Sequence, residues 1–404
     1  MVTKNAFIVV GLGFGDEGKG FATDFLCLQN PEAIVIRYNG GHQAGHCVTT
    51  SDGKKHVFSH IGSGSFRKIP TFWSRFCTFE PCSLVKEINQ LDYIPTIYVD
   101  YMCPVTTHYD IFFNQALETS MGDERIGSCG LGYRTTIERQ TNLSEKLLFN
   151  DILTLKNIND KLNTIEEYYR TKTNLETKFI FDTFQHVEEN KKYLVALENI
   201  KKLISQKIIV PVNEKEIFHS EKWNTYIFEG AQGILLDQEF GTKPNITLSN
   251  TTSKNALEMI TSCTDIGFKV SIFYVIRAYQ TRHGAGPFRE KNPNFVLINN
   301  ESETNLKNDY QGEFKTNFLD IDQLIYALKC DNIFSKGIEK NLLITCLDHF
   351  DCEEIIVYKN DKETKIDYRE ISKELPFYFK KINYSFSSNA ELLLKNNNNY
   401  RHFV

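Results

Sequence analysis

The chain has 404 residues, of which 41% are hydrophobic and 24% charged, with a formal net charge of −5. This is globular composition in a chain long enough to bury a sizeable core, which excludes wholesale disorder. The negative balance argues against a nucleic-acid polymer as partner, while leaving room for a local basic cleft around a phosphorylated small molecule.

No stretch of 18 apolar residues occurs, so no membrane partner is expected. The ten cysteines form no CxxC pair, which argues against a zinc ribbon or a thioredoxin-type motif. The first residues lack the layout of a secretory signal, so reduced thiols and a cytoplasmic location are expected.

In chain order, residues 6–10 form a short apolar run that stops at a glycine cluster, the pattern of a buried parallel strand. Residues 19–29 carry Phe21, Phe25, Leu26 and Leu28 at helical spacing, and 33–36 is a second buried strand. Strand, glycine loop, helix and strand make a βαβ unit. Further strands are predicted at 96–99, 208–210, 225–228, 270–276, 342–345 and 354–358. Residues 145–206 are rich in Lys, Glu, Asn and Leu, with apolar positions at helical steps, and read as a helical insertion with a solvated charged face. The polar run Asn396 to Asn399 reads as a loop. The expected fold is α/β and P-loop-NTPase-like: one domain over 1–404, with a mostly parallel central sheet flanked by helices and a helical insertion at about 145–206.

The first glycine cluster runs Gly11-Leu12-Gly13-Phe14-Gly15-Asp16-Glu17-Gly18-Lys19-Gly20. Glycines between a strand and a helix let backbone N–H groups converge on phosphate, with the helix dipole behind them. The residues fit both GxxxxGK and GxGxxG. Asp16 and Glu17 would face a dinucleotide pyrophosphate, and Arg37 stands where an acid would bind a ribose, so the dinucleotide pattern fits less well. In the phosphate-loop reading Asp16 holds magnesium in place of the missing hydroxyl, and Lys19 neutralises phosphate.

Three more clusters follow strand ends. Arg37 to His46 contains Asn39, Gly41 and His42, placed where open α/β sheets put ligand loops. Phe228-Glu229-Gly230-Ala231-Gln232-Gly233 leads on to Ser249-Asn250-Thr251-Thr252, which reads either as a helix N-cap or as a phosphate site. Thr281-Arg282-His283-Gly284-Ala285-Gly286-Pro287 is the fourth.

Together these clusters resemble the adenylosuccinate synthetase family, with its GDEGKGK, RYxGGHNAGHT, FEGAQG…GT.P..TSSNTT and TRVGAGP segments, in order over about residues 5 to 350. The resemblance implies that GTP phosphorylates the 6-oxygen of IMP, and that aspartate displaces the phosphate. It assigns Asp16, His42, Lys19 and Gln232 to catalysis. Asp16 takes the N1 proton, His42 stabilises charge on the 6-oxygen, and Lys19 holds phosphate. It assigns Gly15, Glu17, Gly18, Gly20, Asn39, Gly41, Ser128, Cys129, Thr251, Thr252, Arg282 and Asp348 to nucleotide or phosphate binding. Mg2+ is the implied cofactor, with Asp16 and Gly41 as ligands. The implied partners are GTP, an IMP-like purine mononucleotide, an amino acid or other amine, and a second copy in a homodimer.

The departures are uneven. The family's TTGRRRRTGWLD loop falls on Asp309 to Asp320, where Lys315 is the one remaining cation. An arginine lost from a bidentate carboxylate site is not conservatively replaced. The TKxD motif reads Thr345-Cys346-Leu347-Asp348, and the STGPxR segment shrinks to Ser385-Phe386-Ser387-Ser388. The last lysine of GDEGKGK is Phe21. For the arginine given to the partner subunit, Arg134 and Arg139 are candidates. The alternatives are therefore a synthetase that grips aspartate differently, a paralogue with another amine or 6-oxo nucleotide, and a non-catalytic nucleotide-binding protein.

Overall fold

The computed structural model describes residues 3–144, 146–301, 303, 305 and 308–393. Nine parallel strands form the central sheet, in the spatial order Lys381–Tyr384, Glu339–Thr345, Phe268–Arg277, Lys4–Gly11, Thr225–Glu229, Ile34–Arg37, Thr71–Trp73, Ile97–Asp100 and Ile209–Val212. Because a strand alternates its faces, Ile8 and Val10 enter one core with Ile36, Phe228, Tyr274 and Ile344. Val9 enters the other, with Val35, Ile227, Val275 and Leu343, against Phe21, Phe25 and Leu26 of the helix Lys19–Gln29. Both faces are covered, which is why these strands read as unbroken apolar runs.

Seven of the nine central strands correspond to predicted runs. Thr71–Trp73 and Lys381–Tyr384 were not predicted, being three and four residues long with too little apolar periodicity to register. The predicted strand at 354–358 exists as Glu354–Lys359, but in a separate four-stranded sheet with Tyr279–His283, Phe314–Asp320 and Lys362–Asp367. The run at 396–399 lies outside the described residues.

The 145–206 region holds the helices Phe149–Thr154, Ile158–Lys172, Leu175–Thr183 and His186–Ser205. Tyr169, Phe181, Tyr193 and Leu197 from these helices share a core with Phe112 and Phe113 of the helix His108–Met121. Within it Arg139 clasps Asp110 at 2.8 and 3.1 Å, and both are fully buried. Arg139 therefore faces its own core, correcting its candidacy as a residue given to a partner.

His108 lies in this core with no hydrogen-bond partner on either ring nitrogen. Burial outweighs the nearby Asp110 carboxylate and holds its pKa at about 4. The folded protein thus binds this proton less readily than the unfolded chain, so stability present above pH 6.5 is lost as pH falls toward 4. The expected loss at pH 4.5 is about 2–3 kcal/mol from this group. Urea midpoints at pH 7 and 4.5 check it. The drop should shrink in His108→Phe, and equal drops in both proteins would contradict the assignment.

Candidate active site

The carboxyl ends of the central strands lie side by side: Arg37 opposite Glu229, and Thr345 opposite Arg277. Open parallel sheets bind ligands at this edge. The glycine loop leaves the strand Lys4–Gly11 there and turns back through left-handed conformations at Gly15 (φ 104°), Asp16 (φ 61°) and Gly18 (φ 99°). Aspartate is among the few non-glycine residues that enter this region readily.

Three consecutive carbonyls of the loop are captured from neighbouring strand ends. Thr281 Oγ1 donates to Gly15 O at 3.3 Å, Arg277 Nε donates to Asp16 O, and Thr345 Oγ1 donates to Glu17 O at 2.8 Å. The loop is fixed through its acceptors. Behind it, the helix Lys19–Gln29 starts at Gly18 with no side-chain cap, so its first N–H groups lack an internal partner. This is the arrangement that binds phosphate.

Glu17 is expected among the phosphate-facing residues, but its carboxylate turns inward. It accepts from the N–H groups of Gly13 (3.0 Å) and Gly15 (2.9 Å) and pairs with Lys19 Nζ. An inward carboxylate removes the repulsion a phosphate would otherwise meet, and it orients the lysine. Asp16 faces the cleft, with its Oδ2 3.6 Å from His283 Nε2. Burial raises the pKa of Asp16, opposed by His283, Arg277 and Lys19.

The cleft has a volume of about 610 Å³. Gly15, Asp16, Gly18, Lys19 and Gly20 line it, facing Gln232, Arg277, Thr345, Cys346 and Asp348. It opens into a second cavity of about 100 Å³ lined by Asn114, Ser128, Cys129, Arg134 and Arg282. Gln43, Cys129, Gln232, Leu236, His283 and Gln311 line both. At this junction both amide atoms of Gln43, the Oε1 of Gln232 and the Nδ1 of His283 are buried without a hydrogen-bond partner. Unpaired buried polar atoms are costly, and their clustering here marks a site for a polar ligand.

The remaining expected residues divide in two. Gly15, Asp16, Gly18, Lys19, Gly20, Gln232, Ser128, Cys129, Arg282 and Asp348 line the cavities. His42, Asn39, Gly41, Thr251 and Thr252 stand behind the walls. Asn39 exchanges hydrogen bonds with the backbone of Ala231 (3.0 and 2.7 Å), and Thr251 N donates to Asp237 at 2.6 Å. The 249–252 run sits at a helix start, as its N-cap reading expects: the formal N-cap of Lys254–Thr261 is Ser253, whose own N–H donates to Asp331, and Thr252 Oγ1 accepts from Lys254 N at 3.4 Å. The His42 ring stacks on His60 at 5.5 Å, with Nδ1 unpartnered, and burial lowers its pKa to about 4. Gln43 and His283 join the site without having been singled out from the sequence, and Arg277 and Thr345 take a role in it that no motif assigns: they hold the glycine loop. Gln43 and His283 sit inside clusters already singled out, whereas the contacts of Arg277 and Thr345 with the loop arise from the fold.

The site accommodates Mg2+ in one limited way. Among the described residues no group of three His, Cys, Asp or Glu side chains could cage a metal. Asp16 offers one cleft-facing carboxylate, which suits an ion carried mainly by phosphate oxygens and water. Gly41 lines neither cavity, and its carbonyl accepts from Ala44 N at 3.1 Å, which disfavours it as a ligand.

A family model described as adenylosuccinate synthetase matches residues 8–368. An adenylosuccinate synthetase from Proteus mirabilis is 32% identical over 295 residues, 70% of this chain and 64% of the relative, so the match spans under two thirds of that protein. One from Buchnera aphidicola is 30% identical over 388 residues, 92% of this chain and 83% of the relative. The fully ligated adenylosuccinate synthetase of Plasmodium falciparum superposes with a TM-score of 0.71 at 20% identity, covering 96% of this chain and 98% of that one. The succinoaminodeoxyadenylate synthetase of cyanophage S-2L, bound to dGMP and dATP as an energy donor, gives 0.61 at 14% identity, covering 96% and 94%. At such identities these two structures speak for the fold alone.

Proposed function

The chain belongs to the adenylosuccinate synthetase family, and on that premise we propose that it is a GTP-dependent carbon–nitrogen ligase acting on a purine mononucleotide such as IMP. The γ-phosphoryl group passes to the 6-oxygen of the purine, and an amine then attacks C6 and displaces phosphate. The observation that carries this reading is the pinned glycine loop, which presents Asp16 and Lys19 to a two-lobed cleft.

Phosphoryl transfer is mostly positioning and charge stabilisation. Lys19 and the uncapped amides of its helix hold the phosphates. Asp16 takes the N1 proton, which makes the 6-oxygen a better nucleophile. Gln232, at the junction, offers its amide to the nucleotide. Bound Mg2+ would neutralise phosphate charge, with Asp16 among its ligands.

His42 adjoins Gln43, which does line both cavities. For His42 to act on the 6-oxygen, nucleotide binding has to turn the 40–46 segment so that its ring enters the cleft. His42→Asn should lower kcat by about a hundredfold, the scale of losing one oxyanion donor, with nucleotide affinity changed only a few-fold. Steady-state kinetics beside calorimetric binding checks this, and equal losses in both would make His42 a structural residue. The function itself is tested by phosphate release from GTP with IMP, with and without a panel of amines. Release must depend on IMP.

A further inference from the structure

The identity of the amine deepens the reading above and rests on it. C6 is bonded to N1, so an amine attacking C6 must pass beside the group that takes the N1 proton, which is Asp16. Beside the Asp16 carboxylate stands His283, at 3.6 Å, lining both cavities with its Nδ1 unpartnered. Its ring packs on Phe314 at 4.8 Å, and the Arg277 guanidinium lies 5.8 Å from the same phenyl ring. The residues shared by the two cavities are Gln43, Cys129, Gln232, Leu236, His283 and Gln311, and none carries a carboxylate, ammonium or guanidinium.

The guanidinium groups around this junction are already engaged. Arg277 donates to the Asp16 carbonyl, the Tyr279 hydroxyl (2.6 Å) and Glu303 (2.7 Å). Arg282 donates to the carbonyls of Ala285, Pro287 and Asn245 at 3.0–3.3 Å from its three nitrogens. Arg134 donates to Ile246 O at 2.8 Å. Lys315 lines neither cavity. Every amino acid brings one carboxylate, and a donor with a second would have to shed the water of one more anion, for which the guanidinium groups around this junction, among the described residues, are already engaged. A neutral polar group instead meets the unpaired Gln43 amide and an unpaired imidazole nitrogen of His283.

We propose that the amine donor is one without a second carboxylate, and that His283 is the residue that selects it through its unpaired Nδ1 at the cavity junction. The test is calorimetric titration of L-asparagine, L-glutamine, L-alanine and L-aspartate into the full chain holding IMP and a non-hydrolysable GTP analogue. At least one neutral amino acid should bind tenfold or more tighter than L-aspartate. Aspartate binding as tightly as the best neutral donor, or no binding by any neutral donor, overturns the proposal. Failure of the functional reading shows earlier in the same cell, as absent IMP and GTP-analogue binding, and carries this inference down with it. His283→Leu should raise the dissociation constant of the preferred donor at least tenfold, and His283→Gln should restore it to within about threefold. The heat of IMP binding reports that each variant is folded. A dissociation constant unchanged in His283→Leu removes His283 from donor selection.

Discussion

Asp16→Asn is expected to lower kcat by at least about a hundredfold, the effect of removing a general base. The substitution isolates the carboxylate. Asparagine tolerates the left-handed φ of 61° at this position, and the Arg277 contact is made to the backbone carbonyl, which Asn keeps. The loop should therefore hold its shape, and nucleotide KM values should move only a few-fold. Near-normal turnover would remove Asp16 from proton transfer.

The second large effect concerns a residue that touches no substrate in this account. Glu17→Ala strips a buried acceptor from the N–H groups of Gly13 and Gly15 and leaves the Lys19 ammonium unpaired. Removing one member of a buried pair typically costs about 3–5 kcal/mol. Part of that cost should appear as lost folding stability and part as a disordered loop, with GTP affinity falling at least about a hundredfold. Urea unfolding and calorimetry together read both parts. Glu17→Gln, which keeps the shape and one acceptor, should fall between. Unchanged GTP affinity in Glu17→Ala would mean that the inward carboxylate does not organise the phosphate site.

The glycine loop and seven of the nine central strands were legible because they depend on local pattern. Residues 6–10 are apolar on both faces, and glycine density marks the turn that follows. What lay beyond the sequence is which way each charge points. Asp16 and Glu17 are adjacent acids of one loop, yet the left-handed turn sends Asp16 to the cleft and Glu17 into the loop interior. The same holds for the arginines. Arg139 and Arg282 read as available cations, but the fold buries one against Asp110 and spends the other on three carbonyls. Thr345 and Arg277 carry no motif that announces a contact with residues 16 and 17. That contact exists because parallel strands distant in sequence end at the same edge.

In the proposed reaction phosphate passes from GTP to the purine before any amine reacts. Positional isotope exchange tests it most directly. GTP labelled with oxygen-18 in the β,γ-bridge is incubated with enzyme, Mg2+ and IMP, and no amine is added. Reversible transfer frees the β-phosphate of GDP to rotate, so label should scramble to non-bridging positions when IMP is present and stay in place when it is omitted. No scrambling with IMP, in a protein that binds both nucleotides, would rule out a phosphorylated purine intermediate.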